Sequence, residues 1–108
     1  MNGIYISGRI SGLPDYNAEQ FNEAEKYLRI KYPDKKIKNP ITISMDYAEW
    51  NKKHLDDIPY DEFLREDFLQ MCAYCDTIYM LKGWELSGGA FKELTLAKML
   101  NFNIMFEE

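Results

Sequence analysis

A chain of 108 residues carrying a net charge of -5 has room for one domain, and residues 1–108 read as that single domain. The acidic balance excludes wrapping a nucleic acid polymer, which needs a basic face to release counterions, whereas one small phosphate asks only for a cation or two and a few backbone amides. Hydrophobic residues make up 46% and aromatics 15%, enough for a core, but so small a domain is expected to gain from a homodimer or larger assembly.

No apolar run approaches a membrane span, and Met1 to Ile6 lack a basic leader followed by an apolar stretch, so a cytoplasmic protein without membrane contact is expected. Residues 3–7 (Gly-Ile-Tyr-Ile-Ser) form an apolar run that predicts a buried strand, followed by the polar turn from Gly8 to Pro14. Asn17 and Gln20 have the spacing of a capping box, and Phe21, Ala24 and Leu28 recur at helical intervals until Pro33 closes the helix. A short strand is expected near Lys36–Lys38, ending at Asn39-Pro40. Residues 41–58 mix Tyr47, Trp50 and His54 with acidic side chains and show no clear period.

Pro59 suits the first turn of a helix running to about Tyr74. Thr77–Leu81 is the clearest strand, Lys82–Gly89 a loop, Ala90–Asn101 a helix and Phe102–Phe106 a last strand. Strands alternating with helices predict an α/β fold: a single doubly wound, mainly parallel sheet of the flavodoxin or Rossmann-like kind, with helices on both faces. In such sheets the ligand crevice lies beyond the carboxyl ends of the strands, which gathers loops 8–14, 39–50 and 82–89 around one site.

Cys72 and Cys75 form a C-x-x-C spacing at the end of a helical pattern rather than at a helix start, and His54 is the sole histidine. Neither redox chemistry nor a metal site is expected there; two core-facing thiols are. Two carboxylates are more telling. Asp67 falls on the stripe made by Tyr60, Phe63, Leu64, Phe68, Met71, Cys72 and Cys75, and Glu93 falls on the inner face made by Ala90, Leu94, Ala97 and Leu100. Burying a carboxylate is costly without partners, so two beside one crevice point to function. Glu93, read as a first-turn residue favoured by the helix dipole, is expected to stay ionised. One carboxylate attacking while another handles a proton is the general way to open a glycosidic carbon. Ser87-Gly88-Gly89 opens the last helix and offers amides to an anion.

Together Tyr5-Ile6-Ser7-Gly8, Arg65-Glu66-Asp67, Cys75-Asp76-Thr77-Ile78-Tyr79 and the block from Gly83 to Glu93 resemble the nucleoside 2-deoxyribosyltransferase superfamily, and within it the DUF4406 group of small bacterial and phage proteins. The resemblance implies roles. Glu93 matches the nucleophile that attacks C1′ of the sugar, Asp67 the acid that assists proton transfer, and Tyr5 the tyrosine that positions the nucleophile. Gly8, Arg9, Ile10 and Ser11 match a loop lying against a 5′-phosphate, with Ser87 and Gly89 in the second phosphate-side turn. Thr95 stands where many relatives have glycine, and Ser11 where nucleotide hydrolases have arginine, leaving Arg9 as the nearest cation.

Among Trp84, Trp50, Tyr47 and Tyr60, Trp84 is the candidate to stack on a base. The expected function is cleavage of a nucleoside or nucleotide N-glycosidic bond, by hydrolysis or deoxyribosyl transfer, on a small-molecule substrate and without cofactor or metal. The alternatives are a non-catalytic nucleotide-binding or sequestering protein on the same fold, and an interaction module with no ligand.

Overall fold

The computed structural model describes residues 2–108, which form one four-stranded, all-parallel sheet with helices packed around it. In chain order these are β1 (Gly3–Ser7), α1 (Ala18–Lys31), β2 (Ile37–Lys38), α2 (Pro40–Trp50), α3 (Tyr60–Tyr74), β3 (Cys75–Met80), α4 (Gly88–Met99) and β4 (Asn103–Phe106). The strands lie in the order β2-β1-β3-β4. The chain moves from β1 outward to β2, then crosses β1 to reach β3 and continues outward to β4. A crevice therefore opens where connections leave neighbouring strands in opposite directions, at the carboxyl ends of β1 and β3.

Alternation along the strands sorts the core into two layers. Ile4, Ile6, Ile37, Tyr79 and Leu81 meet Phe21, Ala24 and Leu28, so α1 covers most of one face, with Ile41 of α2 at its margin. Tyr5, Ile78 and Met80 face the other way and pack against Ile43 of α2, Met71 of α3, and Ala90, Leu94 and Ala97 of α4. Leu81 closes the top of the first layer: its N–H donates to the Ser7 carbonyl at 2.8 Å, and a Cβ on Gly8 would stand 2.9 Å from its side chain. Among the described residues no helix is long and apolar enough to cross a membrane.

Four expectations need correction. The stretch 39–50, expected as a loop, is mostly helix: Asn39 caps α2 by accepting the Ile41 N–H at 3.0 Å, Pro40 occupies its first turn, and Pro40, Ile43 and Ala48 are buried. The dipeptide that ends β2 is thus also a helix start. Asn17 forms no capping box. Its backbone is left-handed (φ 61°), and its amide instead donates to the Gln20 side chain and to the Arg9 carbonyl. The cysteines part company: Cys75 opens β3 and is buried, while Cys72 lies one step around the helix from buried Met71 and is exposed. Finally α4 begins at Gly88 and stops at Met99, leaving Leu100 exposed.

Candidate active site

The period of two in β1 that sends Ile4 and Ile6 toward α1 turns Tyr5 and Ser7 toward α4. Helix α4 is started by Ser87, whose hydroxyl accepts the Ala90 N–H at 3.1 Å, and this start fixes which side chains α4 turns toward the sheet. Glu93 is among them, 6% exposed. The Tyr5 hydroxyl donates to its Oε2 at 2.7 Å and the Ser7 hydroxyl to its Oε1 at 2.6 Å. A phenol reaches farther than a hydroxymethyl, so side chains two residues apart on one strand converge on a single carboxylate. Across from them Asp67 projects from α3, also 6% exposed, and its Oδ1 is buried without a hydrogen-bond partner.

Burial pushes the Asp67 carboxyl up to about 9, and the charge of nearby Glu93 adds to the rise. Burial also pushes Glu93 up to about 7, against the pull of Ser7 and Tyr5. The two groups titrate as a pair holding one proton near neutrality. That proton sits on Asp67, because Glu93 receives two O–H donors while Asp67 keeps a bare oxygen that cannot tolerate charge. Tyr5 is raised well above its ordinary value by burial and then by both acids, so it remains a donor. The expectation of a dipole-stabilised, fully ionised Glu93 is therefore corrected. With α4 starting at Gly88, Glu93 lies in the second turn, where the helix dipole has faded and burial dominates.

Both acids open onto a cavity of about 980 Å³, at the upper end of the usual range for small-molecule sites. Of the residues singled out from sequence, Gly8, Arg9, Ile10, Ser11, Asp67, Ser87, Gly89 and Glu93 line it. Tyr5 stands behind Glu93, in the core. Trp84 is not brought to the cavity: it meets Phe91 edge-on with centroids 5.0 Å apart and lies 6.2 Å from Phe106. Trp50 is 87% exposed, and Tyr47 donates to Glu62 at 3.0 Å. The aromatic lining is Tyr16, Tyr60 and Phe63.

Several site residues escaped the sequence reading. Ser7 shares the parity of Tyr5 on a buried strand, a signal that was available. Lys92 also lines the cavity, its ammonium 5.4 Å from the centre of the Tyr60 ring, while the Tyr60 hydroxyl lies 2.6 Å from where a Cβ on Gly89 would be. Glycine is what lets that phenol close against the start of α4. At the mouth the Tyr16 hydroxyl donates to Asp56 at 2.5 Å, joining two loops forty residues apart with no local sequence signal. Asp15, Tyr16 and Asn17 all have positive φ there (51°, 55° and 61°), an uncommon run for residues with side chains.

The chemistry available is that of a carboxylate held by two donors beside a neutral acid, both facing a largely apolar space. Residues 2–106 match the family model described as "Domain of unknown function (DUF4406)". No curated protein and no solved structure matches the chain.

Proposed function

We propose that this chain, which belongs to the DUF4406 family, is an N-glycoside hydrolase acting on a deoxynucleoside 5′-monophosphate or a close relative, on a branch of the nucleoside 2-deoxyribosyltransferase-like superfamily. One observation carries the reading: Glu93 is held by two hydroxyl donors beside an Asp67 whose Oδ1 lacks a partner, at the wall of a cavity large enough for a nucleotide.

Glu93 attacks C1′, forming an ester as the bond from C1′ to the base nitrogen breaks. The base takes the Asp67 proton and leaves neutral. Water then attacks the same carbon and gives its proton back to Asp67, and Glu93 departs as a carboxylate. Tyr5 holds the nucleophile throughout. Arg9, with the amides near Ser87 and Gly89, receives the phosphate, and Tyr60 or Phe63 lies against the base. The scheme calls for no metal or organic cofactor. Because Glu93 must be charged and Asp67 protonated, the rate follows a bell whose limbs belong to the pair, rising near 7 and falling near 9. A homodimer or larger assembly belongs to the same proposal.

A thermal-shift screen over nucleosides and their 5′-monophosphates, with chromatography of the same mixtures, tests this. Stabilisation with free base released is the expected result. Stabilisation by a nucleotide that stays intact would replace the reading with sequestration, and no response to any ligand would overturn both.

A further inference from the structure

The least explained contact at the site is the shorter of the two to Glu93. Ser7 is completely buried, and its hydroxyl has one hydrogen bond, to Oε1 of Glu93 at 2.6 Å. Its backbone is pinned as well, since the Ser7 carbonyl accepts the Leu81 N–H at 2.8 Å and Ser7 pairs with Met80 across the sheet. An alanine or valine is the ordinary occupant of a buried strand position, and a hydroxyl is tolerated only where it finds a partner.

We propose that Ser7 is a positioning residue, whose hydroxyl fixes the orientation of the Glu93 carboxylate toward the cavity and holds it in the charged form while Tyr5 holds the other oxygen. The proposal rests on the reading of Glu93 as the nucleophile. With only Tyr5 the carboxylate would be free to turn about its last torsion; two donors on different oxygens fix its plane. They also leave the remaining lone pairs as the ones available for attack. The other ionisable groups facing Glu93 are Tyr5 from β1 and Asp67 and Tyr60 from α3, with Arg9, Lys92, Asp15 and Asp56 along the cavity wall. Ser7 is the donor beside them that does not ionise, so replacing it with alanine changes no charge.

The test is the titration of Glu93 in wild type, Ser7→Ala and Ser7→Cys, followed by carbon-13 NMR of labelled glutamate carboxyls and assigned by the signal lost in Glu93→Gln. Alanine is smaller than serine and cysteine larger, yet both lack a strong O–H donor. Both variants should move the Glu93 midpoint upward by roughly one pH unit, the scale of one hydrogen bond to a charged group. The acid limb of base release should move with it. A residue that merely packs would change stability and leave that midpoint in place. An unmoved midpoint in either folded variant overturns the proposal, even if the wild type releases base. Should the wild type release no base from any nucleotide, the nucleophile reading fails, and the role of Ser7 falls with it.

Discussion

Glu93 and Asp67 are equally buried, yet one has a hydroxyl donor on each oxygen while the other has an Oδ1 with no partner, and this asymmetry decides which of them keeps the proton. It also has a cost in stability. Both carboxyls have folded values above the unfolded ones, which lie at about 4, so the folded protein binds more protons than the unfolded chain across the intervening range. Their contribution is fully present below the unfolded value and is lost as pH rises through about 7 and about 9. Asp67→Asn removes the larger part of that loss. Its melting temperature should exceed that of wild type by a margin that grows between about pH 5 and pH 9, whereas a constant margin would mean that Asp67 does not titrate in this interval. Glu93→Ala should likewise keep the fold, with base release down by roughly a thousandfold or more, as expected when a nucleophile is removed. Unchanged turnover in the folded variant would remove Glu93 from the mechanism.

At the scale of elements, β1 and β3 were legible as apolar runs because central parallel strands are buried on both faces, the half-exposed edge strand β4 by its run Ile104-Met105-Phe106 alone, and α1, α3 and α4 because their stripes recur in threes and fours. Helix α2 was not. Ser44 stands within its inward stripe while Met45 and Trp50 are apolar and exposed, which blurs the period, and Asn39-Pro40 looks like a strand ending until the cap is seen. The two acids were legible because charge on an apolar face is conspicuous, whereas Ser7 is small and Tyr16 meets Asp56 only through the fold. Trp84 misled because its size favours a core wall as readily as a ligand, and here α4 and β4 supply the partners. Asn39 ties α2 to α1 through Asn22 and Glu25, besides capping its own helix. Asn39→Ala should therefore cost about 1–2 kcal/mol in a urea titration, and a loss well below that would mean that the cap is idle. The loops flanking the cavity make a separate prediction. Arg9 and the start of α4 should favour a 5′-monophosphate over its nucleoside by about tenfold, and Arg9→Ala should erase most of that preference. Equal affinities for the two ligands on wild type would leave no phosphate subsite here.

For the molecule as a whole, the order β2-β1-β3-β4 brings four sources of chemistry to one crevice: the end of β1, the loop after it, the inner face of α3 and the start of α4. Away from that crevice, Phe91, Met99, Leu100 and Phe106 are exposed, apolar surface that the proposed assembly would cover. Sedimentation at micromolar concentration should give about twice the 12.8 kDa of the chain or more, and a single monomer species would contradict the assembly. The central claim, that Glu93 opens a glycosidic bond by forming one of its own, is most directly tested by intact-mass and peptide analysis. The protein would be mixed with a deoxynucleotide fluorinated at C2′, a substitution that slows release of the sugar. The expected result is one equivalent of free base and a sugar phosphate ester on the peptide containing Glu93, both absent in Glu93→Gln. Base released equally by wild type and Glu93→Gln, with no mass added at Glu93, would contradict it.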